Sequence, residues 1–287
     1  MRDEVKELNN ETRSRAGGSF IQLENGFTHF ELGGNPSGEV VVCVHGFSVP
    51  YFIYDPTFKF LSDSGFCVLR YDLFGRGFSD RPSTPYNIDL FVNQLTELLD
   101  ALRFTHPVNL IGLSMGGPIT STFTVRHTER VNRLVLIDPA GAKPIALSPM
   151  LKVAKLPFVA EAVLSIAGSE GIIKNTAKDF FDPMLIEHFI SRYRTQMQYK
   201  GFRRALLSTI RNGMLESFIH TYESLGKMDK RILLLWGRND RTVPFENSQV
   251  LQSVLPQAEF HAIENTSHIP HYEKPDEVNP LLLEFLR

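Results

Sequence analysis

Cysteine is nearly absent: only Cys43 and Cys67 occur in 287 residues. Two are too few for a disulfide framework. Both lie in apolar runs, where a free thiol acts as a small buried hydrophobe. No charge sign is in excess. Thirty Lys and Arg stand against thirty-two Asp and Glu, for a formal net charge of −2. There is no long run of one sign either, so nothing points to a nucleic-acid partner. No stretch of roughly eighteen apolar residues occurs. The nearest, 145–167, is interrupted by Pro149, Lys152, Lys155, Pro157 and Glu161, which makes a poor membrane span. The first nineteen residues are charged and polar without an apolar core, so a cytoplasmic protein without a secretory signal is expected. There is no internal repeat, no H-E-x-x-H, no C-x-x-C and no metal-like acidic cluster. Neither a cofactor nor a metal is expected.

What is present suits a packed protein. At 43% hydrophobic, 11% aromatic and 22% charged, the composition excludes disordered and fibrous classes. Residues 20–24 and 27–32 are apolar runs joined by Asn25-Gly26, a hairpin signal. Val40 to Val44 is then a continuous apolar run, as expected of a strand buried on both faces of a parallel sheet. Similar runs follow at 66–71, 108–112, 134–137 and 232–236, with a weaker one at 259–263. Helical spacing lies between them, at 90–102, 119–126 and 245–254. Alternating strands and helices predict an α/β doubly wound sheet. About ninety residues between Asp138 and Lys230 break the rhythm. They are rich in Leu, Met, Phe, Lys and Pro and carry no convincing strand. Two crossover helices with long loops are the plainer alternative, but the length far exceeds a usual crossover. The expected organisation is a core in two parts, 1–140 and 228–287, with an inserted helical cap at 141–227.

The strongest motif is Gly112-Leu113-Ser114-Met115-Gly116-Gly117, between an apolar run and a helical stretch. This is the strand–turn–helix setting of a G-x-S-x-G nucleophile elbow. The serine must stand on a sharp turn with its hydroxyl exposed, and flanking glycines leave room where a Cβ would collide. A serine needs a base. His268 lies just past the last expected strand, on the carboxyl edge that carries Ser114. His271 competes, as a pocket-rim or structural residue. The base needs an acid. Asp240 follows the run Leu233 to Trp236 and gives the order Ser, Asp, His. Asp138, at the end of 134–137, is its rival, with loop capping as the plainer reading. Two backbone N–H groups must hold a developing oxyanion: that of Met115, after the nucleophile, and that of Phe47, in the loop after 40–44. His45 reads as a pin for that loop rather than a base. Tyr71 to Asp80 is glycine-rich but lacks nucleotide-loop spacing, so Asp72 and Arg76 are expected to fasten a turn beside the site.

Together, H-G-F at 45–47, D-L-F-G-R-G-F-S at 72–79, G-L-S-M-G-G at 112–117, G-R-N-D at 237–240 and S-H-I-P-H-Y-E-K-P at 267–275 resemble the α/β-hydrolase superfamily over nearly the whole chain. The resemblance implies an eight-stranded, mostly parallel sheet with the cap inserted after the sixth strand. It implies a catalytic set of Ser114, Asp240 and His268. Within the superfamily the chain looks most like capped carboxylesterases and monoacylglycerol lipases. Ser114 in place of aspartate argues against the haloalkane dehalogenase and epoxide hydrolase branches. The H-G-G-P-G loop of proline iminopeptidases is missing. Cofactor-free haloperoxidases share the triad and are poorly separated by sequence. Carbon–carbon bond hydrolases usually carry a small polar residue before the serine, where this chain has Leu113, and a glycine-rich loop where it has Phe47-Ser48-Val49-Pro50.

The expected activity is therefore cleavage of a small lipophilic carboxylic ester through an acyl-enzyme on Ser114. Leu147, Met150, Leu151, Val153, Leu156, Phe158, Val159, Leu164 and Ile166 offer an apolar cap surface, to shelter an acyl chain, touch a lipid surface or pack on the core. Phe47, Phe52 and Trp236 are candidates for the acyl wall, Trp236 reading more readily as core. One alternative is hydrolysis of a carbon–carbon bond in a vinylogous keto acid. That reaction needs a cation for the substrate carboxylate, for which Arg192, Arg194, Arg203 and Arg204 are candidates. The other alternative is a non-catalytic ligand receptor on the same scaffold.

Overall fold

Eight short runs rich in aliphatic and β-branched residues pair into one sheet. They are β1 (Ser19–Leu23), β2 (Gly26–Gly34), β3 (Val40–Val44), β4 (Cys67–Tyr71), β5 (Val108–Leu113), β6 (Val131–Ile137), β7 (Arg231–Gly237) and β8 (Glu259–Ile263). The computed structural model describes residues 4–145, 171–174 and 176–287. The strand order is β1-β2-β4-β3-β5-β6-β7-β8. Only the β1–β2 and β2–β4 pairings are antiparallel; β3 onward is parallel. The expected fold class, an α/β-hydrolase fold on a mostly parallel eight-stranded sheet, is what the chain adopts.

Strand side chains alternate between two apolar layers. Val42, Val44, Leu110, Leu134, Leu136, Leu234 and Trp236 enter one. Their neighbours Val41, Cys43, Ile111, Val135, Ile137, Leu233 and Leu235 enter the other. Helices cover both layers. These are α1 (Asn10–Arg15), α2 (Asp55–Asp63), α3 (Ile88–Ala101), α4 (Gly116–Arg126), α5 (Ile186–Met197), α6 (Phe202–Arg211), α7 (Ile219–Gly226), α8 (Glu246–Val254), α9 (Pro270–Glu273) and α10 (Pro275–Leu286). Trp236 is fully buried and its indole N–H donates to the Val243 carbonyl at 3.1 Å, which makes it core rather than acyl wall. Cys43 and Cys67 are free and buried. Burial pushes the Cys43 thiol up to about 12, so it is inert at ordinary pH.

Between β6 and β7 the described residues form α5, α6, α7 and short 3-10 turns at Ala177–Asp179 and Pro183–Leu185. The nine apolar residues named above for the cap surface, Leu147 to Ile166, lie outside the described residues. The connection is fastened to the sheet side at several points. Phe189 meets Phe52 edge-on at 5.2 Å between centroids, and Arg192 pairs with Asp55. Arg204 donates to the carbonyls of Arg81 and Pro82. At the chain start, the buried Glu4 accepts from the backbone N–H groups of Gly201 and Arg203, capping α6 with a negative charge.

Candidate active site

Ser114 stands on the turn between β5 and α4 with φ +53°, a left-handed conformation that costs a non-glycine residue energy. The turn is enforced by tight packing. A Cβ on Gly112 would come within 2.4 Å of the Thr120 hydroxyl, and one on Gly116 within 2.2 Å of the Val44 carbonyl oxygen. Those two glycines are required by close approach, as the motif predicts. A Cβ on Gly46 would lie 3.1 Å from Ser114 Cβ, so the β3 loop runs directly against the serine.

The two candidate oxyanion donors are aimed by what holds their own peptide carbonyls. A trans peptide points C=O and N–H in opposite directions, and no cis bond occurs among the described residues. The Gly46 carbonyl accepts from His45 Nδ1 at 2.9 Å, which turns the Phe47 N–H away from that ring. The Ser114 carbonyl accepts from Gly117 N at 2.9 Å and Ala140 N at 3.0 Å, which fixes the direction of the Met115 N–H. His45 can do this only as the Nδ1–H tautomer, because its Nε2 accepts from Leu73 N at 2.9 Å. Burial pushes His45 down to about 4, so the neutral ring this pin requires is the one present. Arg76 completes the loop. Its buried guanidinium donates to the carbonyls of Phe47 and Phe74 and to the Thr209 hydroxyl of α6.

His268 and Asp240 meet in the loops after β8 and β7. His268 Nδ1 lies 2.7 Å from Asp240 Oδ2, and both side chains are buried. Asp240 Oδ1 accepts from the backbone N–H groups of Thr242 and Val243 at 2.7 and 2.9 Å. Burial disfavours the imidazolium, but the charge and hydrogen bond of Asp240 outweigh it, with help from Asp179 and Glu273, and His268 sits above its ordinary value. The ring is thus held by Nδ1 with Nε2 on its opposite edge, the arrangement a general base needs.

Asp138, the rival acid, is not remote. It ends β6 at φ +42°, and its donor atom lies within 4.8 Å of those of Asp240 and His268. It accepts from Gly237 N at 2.9 Å rather than from the His268 ring. Among the described residues these three side chains are spaced to hold a metal ion, yet two of them are already joined by their own hydrogen bond. His271 packs inside against Tyr54, 4.9 Å between centroids, and burial pushes it down to about 3. It is a structural residue rather than part of a pocket rim.

Sequence reasoning gave no role to three groups here. Asp179 offers its carbonyl to His268 N at 3.1 Å, and its carboxylate accepts from Thr242. Burial pushes Asp179 up to about 6. Glu273 accepts from Asp182 N at 3.0 Å and Ser267 N at 2.7 Å, joining the β6–β7 connection to the histidine loop. Glu273 falls inside a motif already singled out, whereas Asp179 has no sequence signal. The third is His29, whose ring makes a second buried pair, with Asp72.

Known proteins match this architecture. The alpha/beta hydrolase family profile covers residues 41–281. An uncharacterized hydrolase, YugF of Bacillus subtilis, is 27% identical over 91% of this chain and 93% of its own. The 2-hydroxy-6-oxononadienedioate/2-hydroxy-6-oxononatrienedioate hydrolase 1 of Pseudomonas putida is 27% identical over 93% and 95%. Among solved structures, the meta-cleavage product hydrolase of Pseudomonas fluorescens IP01 superposes with TM-score 0.77 at 24% identity, over 94% of this chain and 97% of that one. A thermophilic esterase of Thermogutta terrifontis superposes with TM-score 0.78 at 24% identity, over 95% and 98%. With the family profile spanning most of its length, this chain belongs to the α/β-hydrolase family.

Proposed function

We propose that the protein is a serine hydrolase cleaving a lipophilic carboxylic ester, with residues 141–227 as its cap. The observation that supports this reading is a serine held at φ +53° at the end of β5 and a buried His268–Asp240 pair in the loops after β8 and β7, strands of the same parallel sheet. Ser114 Oγ attacks the ester carbonyl while His268 Nε2 takes its proton. Asp240 holds the ring and stabilises the imidazolium, and the N–H groups of Phe47 and Met115 receive the oxyanion. The alcohol leaves with a proton from His268. Water then hydrolyses the acyl-enzyme by the same route.

Three features favour a neutral, lipophilic substrate. Phe47, beside the serine, packs against Leu207, Ile210 and Leu215 of the proposed cap. Of the arginines considered for a substrate carboxylate, Arg192 is paired with Asp55 and Arg204 is engaged with two backbone carbonyls. Asp179 beside His268 adds negative charge, which repels a carboxylate. The second reading, a carbon–carbon bond hydrolase, is favoured by the name of the Pseudomonas putida relative. Turnover of p-nitrophenyl esters from acetyl to palmitoyl, beside Ser114→Ala, separates the two. Serine-dependent ester turnover with an optimum chain length is expected. A folded protein idle on every ester, yet active on a vinylogous keto acid, would overturn the ester reading.

A further inference from the structure

Asp138 and Asp240 end adjacent parallel strands, and their carboxyl groups converge beside His268 in a space closed to water. Two carboxylates at such range and burial do not both stay ionised, so one holds a proton. Hydrogen-bond donors decide which. Asp240 receives three: Thr242 N, Val243 N and His268 Nδ1. Asp138 receives one, from Gly237 N onto Oδ1, and no donor reaches its buried Oδ2. The anion belongs where the donors are, and the proton belongs on the oxygen without one.

We propose that Asp138 is a neutral carboxylic acid whose proton is donated to Asp240, making it a positioning residue that tempers the Asp240–His268 pair. The other titratable groups facing this cluster fit that assignment. Asp179 comes from the Ala177–Asp179 turn and Glu273 from α9, both acidic, and His271 of α9 is neutral. Burial and the Asp240 charge push Asp138 well above the usual carboxylate range, in the same direction. A neutral donor on Asp240 spreads its charge and keeps it from binding the imidazolium too tightly. His268 is then still able to act as a base near neutrality.

The catalytic part of this inference rests on the reading of Ser114, Asp240 and His268 above; the protonation of Asp138 does not. The test compares Asp138→Asn, which keeps a neutral donor, with Asp138→Leu, which removes it, in kcat/KM against pH. Asp138→Asn is expected to keep the acid limb at the wild-type pH. Asp138→Leu is expected to move it up by about half a unit or more, with turnover reduced several-fold. An ionised Asp138 predicts the reverse for Asn, because losing a negative charge beside His268 moves the limb down. Melting temperature supplies a readout that needs no activity. A raised Asp138 contributes stability that is complete below its ordinary 3.8 and is lost as pH rises toward its folded value. The Asp138→Asn protein therefore gains on the wild type as pH rises from about 4 toward that folded value. A downward limb shift in Asn, or a melting difference that does not grow with pH, overturns the proposal. Turnover surviving Ser114→Ala would sink the catalytic reading alone and leave the melting test standing.

Discussion

Two buried histidine–aspartate pairs among the described residues share the same contact. In each, Nδ1 lies 2.7 Å from a carboxylate oxygen that also has backbone donors nearby. They differ in what surrounds the ring. His29 Nε2 meets the Gly17 carbonyl at 3.0 Å, so both its nitrogens face acceptors. Its faces stack on Phe20 and Tyr51, at 4.7 and 4.9 Å, and Phe78 meets it edge-on. Asp72 receives Tyr51 N and Phe78 N besides the ring. Burial pushes Asp72 up, yet the His29 hydrogen bond and charge prevail and hold it below the usual carboxylate range. His268 is instead surrounded by acids: Asp240, Asp138, Asp179 and Glu273. The lesson is that a histidine–aspartate contact does not identify a site. A ring fixed at both nitrogens among aromatics is a rivet. A ring fixed at one nitrogen among carboxyl groups keeps its other nitrogen for proton transfer, the role proposed for His268.

The largest expected contrast comes from deleting each ring. His268→Ala should lower kcat/KM by about 10⁴-fold or more even in the protein that stays folded, beside the stability lost by leaving buried Asp240 without its ring. His29→Ala should lower stability alone. It leaves Asp72 buried without its partner, at a cost of about 3–5 kcal/mol, while the fraction still folded turns over normally. Chemical denaturation and single-turnover rates on both variants check this. If His29→Ala abolished turnover in folded protein, the division between rivet and base would fail.

The second contrast is in pH. The base form of His268 is neutral, and its value is raised above 6.5, so kcat/KM should rise with pH through a value above 6.5. Asp72 carries the opposite sign. Its depressed value means its stability contribution is present above 3.8 and is lost as pH falls through its folded value. Near pH 5 turnover should therefore be lost reversibly while the Asp72 contribution stays intact. Asp72→Asn should flatten the fall in melting temperature below about pH 4 and leave the activity limb in place.

How far each pair was legible follows from the same distinction. The strands, the elbow and the order of Ser114, Asp240 and His268 are written in local patterns: apolar runs, glycines flanking a serine, polar loops at strand ends. His29 sits in a strand that reads as ordinary hairpin, 43 positions from Asp72, and nothing local joins them. Its role arises only when β2 pairs with β4. Asp138 was legible as a strand-end acid. Its nearness to Asp240 required β6 and β7 to be neighbours in register, which residues alone do not state. Asp179 lies where the sequence has no strand rhythm, and only the folded connection brings it to His268.

The smallest contrast tests the surroundings rather than the pairs. Around His29 the neighbours are rings, so Phe20→Leu removes a stacking partner and should cost about 1 kcal/mol with kcat unchanged. Around His268 the neighbours are charges. Asp179, pushed up to about 6 by burial, is ionised above that pH and then favours the imidazolium. Asp179→Asn removes that charge and keeps a polar group near Thr242. The acid limb of kcat/KM should move down by a fraction of a unit, roughly 0.3 to 1, with little change in melting temperature at pH 8. The direction decides the point. A structural Asp179 would lower stability and leave the limb where it is, whereas an electrostatic one moves the limb first. An unmoved limb with unchanged stability would mean that Asp179 bears no charge in the working enzyme, and an upward shift would contradict its electrostatic role outright.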